Sequence, residues 1–154
     1  MLKWLTAILA LVALFCTVEA QGTPESAVMA LINNARSAGT RCNGGGGVRL
    51  GRLTFNATLA RAADGQARTM AARGVVSHYF NGIGPRTRVA RAGYRFSRMS
   101  EIIFLGSGSA SRAVGWWQRS RVHCQAMMNP YYTQVGAAYS GGAWVVVMAL
   151  PAKR

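Results

Sequence analysis

The chain ends on two apolar runs joined by glycines, and this ending constrains the fold more than any other segment. Val135 to Tyr139 and Ala143 to Leu150 flank Ser140-Gly141-Gly142. Short runs rich in Val, Tyr and Trp, bounded by a glycine pair, form an antiparallel hairpin. The segments upstream read mainly as helix. Helices first and a hairpin last argue for an α+β fold around an antiparallel sheet, because a doubly wound parallel sheet needs strands and helices in alternation. The 154 residues supply one domain with one modest core and no visible internal repeat.

Thr23-Pro24-Glu25 marks the first helix: an N-cap, a proline at the first helical position and an acid in the first turn. Val28, Leu31, Ile32 and Ala35 continue it at helical spacing, and Gly39 lies just past its end. Gly44 to Gly47 reads as a flexible surface loop beside Cys42. A phosphate-cradling loop is the weaker reading there, because no GK[ST] follows. A second helix is expected from Ala57 to Arg73, with Asn56 as cap, Gly74 as stop and Leu59, Ala62, Ala63, Ala67 and Met70 on its packing face. Residues 75–84 are Gly-rich and irregular, Pro85 to Ala92 forms a short helix, and Met99 to Leu105 is a strand. Ser109 caps a third main helix whose inward face carries Ala113, Val114 and Trp117. Trp116 is the partly exposed neighbour, with ligand stacking as a lesser alternative.

Residues 1–20 resemble an export leader rather than part of the fold. Lys3 precedes an apolar run from Trp4 to Val18, shorter than the ~20 residues of a spanning helix. Val18-Glu19-Ala20 then offers small residues for cleavage after Ala20. The expectation is a secreted or periplasmic domain over 21–154, with its core at about 25–150 and no transmembrane span. An uncleaved anchor is the alternative; a lipid anchor at Cys16 fits poorly after the bulky Leu14-Phe15. Cleavage leaves Cys42 and Cys124. In an oxidising compartment they most simply form one disulfide, with two buried free thiols as the alternative. The bridge would close a loop of 83 residues, counting both ends, which the chain-entropy model values at about 4.5 kcal/mol.

Charge narrows the chemistry. The net charge is +14, from 18 basic and 4 acidic residues, and loss of Lys3 and Glu19 leaves it unchanged at 17 − 3. Such a surface favours anionic partners. Sixteen of the basic residues are Arg, which fits phosphate recognition or simply a genome rich in Arg codons. So few acids argue against an all-oxygen calcium cage. The absence of G-x-S-x-G leaves no serine-hydrolase signature, and the disulfide conflicts with cysteine catalysis. Arg91 to Arg98 interleaves arginines with Tyr94 and Phe96, a pattern that could stack nucleic acid but more often forms a solvated face.

Among the acids of the mature chain, Glu25 complements a helix dipole, and Asp64 has Arg61 and Arg68 as helical neighbours. Glu101 has no such explanation. It lies within Met99-Ser100-Glu101-Ile102-Ile103-Phe104, where a carboxylate is costly unless paired or exposed on one face. His78 and His123 are the only histidines and are expected at element ends. Two His and one Glu are the ligands of one catalytic zinc type. The spacings form no local metal motif, so composition permits such a site without showing it. The alternative is ordinary hydrogen bonding, with Glu101 paired to an Arg.

Taken in order, several segments resemble the CAP superfamily, also called the SCP domain, in its short secreted bacterial branch. The resemblance covers about residues 25–150. It rests on Leu31-Ile32-Asn33-Asn34-Ala35-Arg36 followed by Cys42, and on Leu53-Thr54-Phe55-Asn56 running into Ala57 to Ala63. It continues through Ser77-His78, Arg88, Ala92-Gly93-Tyr94 and Ser100-Glu101-Ile102-Ile103. Trp117 to Cys124 and Met128-Asn129-Pro130-Tyr131 to Tyr139 complete it. The resemblance implies an α/β/α sandwich around a three-stranded antiparallel sheet. It places His78, Glu101 and His123 on three positions of a cavity tetrad that binds a divalent metal in several members. The fourth position is Ser120 here. Ile102 replaces the family's usual Asn, and Asn81-Gly82 its usual Asp-Gly. Cys42 and Cys124 match the branch's paired cysteines.

The family has no agreed enzymatic activity, while sterol, fatty-acid and phospholipid binding are reported for some members. The expected function is therefore a non-catalytic binding module. Its His/Glu cavity would hold zinc or another divalent metal, and its basic surface would meet anionic envelope or lipid partners. A metal-assisted hydrolase, with Glu101 as ligand or base and Ser120 as a nearby donor, is one alternative. A cationic effector acting by charge alone is another.

Overall fold

The computed structural model describes residues 22–43 and 45–153. The expected leader and its cleavage site lie outside the described residues. Helix α1 (Pro24–Ala38) starts as its sequence indicates: Thr23 Oγ1 accepts from the Ser26 amide, and Gly39 ends the helix in the left-handed conformation. Helix α2 (Ala57–Arg73) is capped by Asn56, whose side chain accepts from the amides of Thr58 and Leu59. Two further helices are α3 (Pro85–Arg91) and α4 (Ala110–Arg119).

A seven-residue helix, α5 (Arg121–Met127), was not expected from the sequence. Ser120, with φ −93° and ψ 120°, breaks the axis between α4 and α5. No glycine or proline marks the break, so hydropathy alone does not separate the two helices. His123 therefore lies inside a helix rather than at an element end.

The strands are β1 (Arg41–Cys42), β2 (Gly45–Gly46), β3 (Thr54–Phe55), β4 (Phe96–Leu105), β5 (Gln134–Ser140) and β6 (Ala143–Pro151). The main sheet has the order β3-β5-β6-β4. Its β5-β6-β4 body is the expected antiparallel trio. It gains a fourth strand, because the two-residue β3 joins β5 in parallel. Asn33 on α1 holds that strand's approach, donating to the Leu53 carbonyl at 3.1 Å and accepting from its amide at 2.7 Å. Strand β4 starts three residues before the expected Met99, with a register shift between Phe96 and Arg98. Its polar first half lies on the sheet edge, where apolar alternation is not required.

The glycine run also differs from expectation. Gly45 and Gly46 pair with Cys42 and Arg41 in a small antiparallel ladder. Cys42 is fixed by its disulfide to Cys124 (Cα–Cα 5.6 Å), which gives the glycines an ordered partner strand.

Strand β6 is buried on both faces, and its side chains divide the core. Trp144, Val146 and Met148 pack with Val28 and Ile32 of α1 and Trp117 of α4. Val145, Val147 and Ala149 pack with Leu59, Ala63, Ala67 and Met70 of α2. Helices thus cover both faces of the sheet, which is the expected α/β/α sandwich. The small residues of α2 allow a close approach to β5. A Cβ on Gly136 would fall on the backbone of Leu59 and Ala60 and within 2.6 Å of the Leu59 Cβ. Gly136→Ala is therefore expected to destabilise the fold by about 3 kcal/mol through overpacking. A thermal melt unchanged from wild type would contradict this close approach.

Candidate functional site

Glu101 lies in the middle of β4, on the edge strand, with only 1% of its side chain exposed. The sheet alternation turns it to the side of Ile103, which packs with the α2 residues. Burial of a carboxylate needs paired donors, and Glu101 has two. Arg88 of α3 donates from Nη2 to Oε2 at 2.6 Å. His78 Nδ1 lies 2.8 Å from Oε1. Nη1 of the same guanidinium ties the loop down, donating to the carbonyls of His78 (2.9 Å) and Ile83 (3.2 Å). Arg88 thus holds both the Glu101 carboxylate and the backbone of the histidine that contacts it.

His123 reaches the site from α5. Its Nδ1 lies 2.6 Å from Ser120 Oγ, and its ring stands against Trp116 at 5.0 Å between centroids. Trp116 in turn meets Phe104 of β4 at 5.9 Å. Trp116 is 43% exposed, while Trp117 is buried and donates from Nε1 to the Ile103 carbonyl at 2.9 Å. The adjacent tryptophans thus divide into a core residue and a partly exposed neighbour, as the sequence indicates. Cys124, next to His123, carries the disulfide that anchors α5 to β1.

His78 and Glu101 are in direct contact, and His123 is their electrostatic neighbour. Burial lowers the His123 pKa below the ordinary imidazole value, and repulsion from His78 lowers it further. The unfolded chain therefore takes up this proton at higher pH than the folded one does. Folding stability should fall as pH drops below about 6.5, and the loss is complete only below the lowered folded value. In metal-free protein, His123→Asn is expected to flatten that part of the profile. Urea midpoints at about pH 7.5 and about pH 5 would check it; an identical fall in both proteins would contradict the assignment.

Fit to a metal follows from the donor atoms. Both Glu101 oxygens are engaged, by Arg88 and His78, so Glu101 does not stand free as a third ligand. Among the described residues, no group of three or more His, Cys, Asp or Glu is arranged to hold a metal ion. Each imidazole has Nδ1 engaged within the protein, and no hydrogen bond among the described residues uses its Nε2. The donor atoms left without a partner at the site are thus the two Nε2 atoms, while Glu101 is occupied by Arg88 and His78.

Other residues bear out or extend the sequence reading, with Asp64 the ion-pair partner it describes. Asp64 pairs with Arg68 at 2.7 Å, while Arg61 turns instead to Thr58 Oγ1 at 3.1 Å. Glu25 does more than complement a dipole, since its Oε1 accepts from the Tyr139 amide at 3.1 Å. The Arg91–Arg98 stretch does not present a row of exposed rings. Tyr94 is buried and donates to Gln134 Oε1 at 2.7 Å, and Phe96 is half-buried with Arg86 over its ring at 4.8 Å.

Arg36 was not singled out. It is 2% exposed, and its guanidinium donates to four main-chain carbonyls: Gly51 at 3.0 Å, Met127 at 2.8 Å, Asn129 at 2.9 Å and Tyr132 at 3.2 Å. Burial lowers its pKa. The available signal was position: Arg36 follows Val28 and Ile32 at four-residue steps along the buried stripe of α1.

A three-layer α+β domain with a histidine held by a buried carboxylate on its edge strand is the class these elements define. The residue pattern described as the Cysteine-rich secretory protein family, CAP, matches residues 29–148. The chain belongs to the CAP family. Its fold is similar to an extracellular SCP-domain protein of Bacillus anthracis, with TM-score 0.73 and 20% identity, over 82% of this chain and 40% of that one. It is also similar to an outer surface protein of Borrelia burgdorferi, with TM-score 0.70 and 20% identity, over 82% of this chain and 92% of that one. A cysteine-rich secretory protein of Staphylococcus aureus gives TM-score 0.66 and 16% identity, over 86% of this chain and 40% of that one. The chain thus spans well under half the length of the Bacillus and Staphylococcus proteins. At these identities the likeness is one of fold. No curated protein matches the chain by sequence.

Proposed function

We propose that this chain is an exported, non-catalytic binding module with two recognition features. One is a pair of imidazoles, His78 and His123, that holds a zinc-like divalent ion through Nε2. The other is a strongly basic surface that draws the domain to anionic envelope or lipid partners. The observation that carries the first feature is the contact between His78 Nδ1 and buried Glu101, itself held by Arg88. A carboxylate on the far nitrogen of a histidine fixes ring and tautomer and raises the basicity of the other nitrogen, as is usual behind metal-bound imidazoles. Glu101 is then a positioning residue, and Arg88 positions Glu101. An ion bound there would supply a local positive charge able to polarise an oxygen ligand. The net charge of +14 supports the second feature. Export is supported by the Lys3–Ala20 sequence pattern and by the disulfide.

Calorimetric titration with zinc tests the first feature. Wild type should bind, while His78→Ala and His123→Ala should each abolish measurable binding. Glu101→Gln should weaken binding about 10–100-fold if it folds, as expected for a lost orienting partner. Equal binding by wild type and both alanine variants would overturn this feature. Retention on phosphatidylglycerol vesicles that falls as salt rises is expected from the second feature, because exposed charges are screened. Retention unaffected by salt would contradict it.

A further inference from the structure

A groove of about 600 Å³ runs between α2, α3 and the loop that joins them; Arg88 lines it, and neither His78 nor His123 does. We propose that it binds an organic oxyanion: a phosphate ester whose charged end meets Arg61, Arg73 and Arg91 and whose apolar body rests on Phe80 and Ile83. This deepens the anionic-partner half of the function above and rests on the same reading of the charge. It assigns that charge a specific concave site rather than the whole surface.

Three observations carry the proposal. First, the positive charge is unspent. Arg61, Arg73 and Arg91 are exposed at the groove and form no ion pair among the described residues. No Asp or Glu lines it. Arg61 commits one Nη2 hydrogen bond to Thr58, which leaves most of its five donors free. Clustered guanidiniums without a carboxylate repel one another, and an oxyanion that accepts paired N–H donors relieves that repulsion.

Second, two of the three neutral polar side chains of the groove already donate within the protein, and the third, Asn81, sits at its rim turn. Gln66 is buried and donates from Nε2 to the Ser77 carbonyl, and Thr69 donates to the Gly65 carbonyl at 2.8 Å. The donors left for a ligand are therefore mainly guanidinium groups. A cation would be repelled, and an anion meets more free guanidinium donors than any other group there.

Third, the apolar floor is built and held. Phe80 and Ile83 exchange main-chain hydrogen bonds of 2.9 and 3.3 Å across a tight turn. Its two central residues, Asn81 and Gly82, have φ of 51° and 73°, as a two-residue turn with positive φ at both positions requires. Arg73 lies over the Phe80 ring at 5.1 Å, so one guanidinium already sits where the apolar and charged parts of a ligand would meet. Asn81 lines the same groove. Its left-handed backbone is open to Asp as well as Asn, so this position can gain a charge without a change of fold.

Hexyl phosphate and inorganic phosphate are the probes, measured by calorimetry with wild type, Arg73→Gln, Asn81→Asp and Arg112→Gln. Arg112 is exposed on α4 outside the groove, and each of the three substitutions lowers the net charge by one. Hexyl phosphate should bind saturably and more tightly than inorganic phosphate. Arg73→Gln and Asn81→Asp should each weaken it about tenfold, the scale of one lost charge-assisted contact, and Arg112→Gln should leave it near wild type. No saturable binding, equal affinity for the two probes, or equal loss in all three variants would overturn the proposal.

Phosphatidylglycerol vesicles separate the sources of the phosphate. If Asn81→Asp lowers both hexyl phosphate and vesicle binding while Arg112→Gln does not, the groove takes a lipid headgroup. If it lowers only hexyl phosphate binding, the groove takes a soluble ester. Either result supports the site. Vesicle binding that persists equally in all variants without any hexyl phosphate binding overturns the groove and leaves the general surface-charge reading intact.

Discussion

Arg36→Ala is expected to destabilise the protein by about 3–5 kcal/mol, read from the midpoint of urea unfolding. The guanidinium links α1 to the loop before β3, to the last residue of α5 and to the segment between α5 and β5 through four carbonyls. None of these acceptors is a carboxylate, so no counter-charge offsets the burial; hydrogen bonding alone holds the cation. Truncation leaves four carbonyls, two of them in fully buried hydrogen bonds, to find new partners, and each unmet group is costly. Arg36→Lys should recover only part of the loss. A lysine keeps the charge but offers three donors from one point, and cannot span carbonyls arranged around a planar fork. Arg36→Met preserves much of the volume and should still fail, because the carbonyls remain. An Arg36→Ala variant within about 1 kcal/mol of wild type would contradict this role.

Removing the Cys42–Cys124 bridge by a paired Cys→Ala change is expected to cost about 4.5 kcal/mol, from the entropy its 83-residue loop regains in the unfolded chain. The effect should extend to the histidine pair. Helix α5 has seven residues, too few to hold itself, and carries His123 beside the bridged Cys124. The double variant should therefore lose zinc affinity under conditions where it remains folded by circular dichroism. Urea unfolding read by tryptophan fluorescence and zinc calorimetry on one sample give both quantities. Unfolding within about 1 kcal/mol of wild type would contradict the stabilising role. Unchanged zinc affinity would show that α5 holds its position without the bridge.

Much of the fold was legible because its punctuation is local. Thr23-Pro24, Asn56, Gly39 and Gly74 each act on residues within a few positions, and the hairpin glycines set the last two strands. The elements that escaped notice depend on distant partners. Strand β3 exists because Leu53 is held by Asn33 and Thr54 pairs with Gln134, and β2 exists because the disulfide fixes Cys42. The split between α4 and α5 turns on the backbone of Ser120, which leaves no mark in hydropathy.

The site was legible in part for the same reason. Glu101 stood out as an acid in an apolar strand, and burial explains why that signal was informative. Its contact with His78 spans 23 positions, and its contact with Arg88 spans 13, so neither follows from spacing. The family resemblance brought the three residues together before their geometry was known. Both Glu101 oxygens have partners, which supports the positioning role proposed for it. Arg36 and the arginine groove were missed because sixteen arginines dilute the signal of any one. Burial sets Arg36 apart, and a shared groove sets Arg61, Arg73 and Arg91 apart; only the fold reveals either.

The two-imidazole site is tested most directly by long-range nitrogen NMR of the histidine rings. The chain contains only His78 and His123, so the spectrum reports two imidazoles. Zinc should shift the Nε2 signals of both rings while His78 Nδ1 stays protonated and hydrogen-bonded to Glu101. Unchanged Nε2 signals at saturating zinc, or a shift confined to Nδ1, would contradict the account.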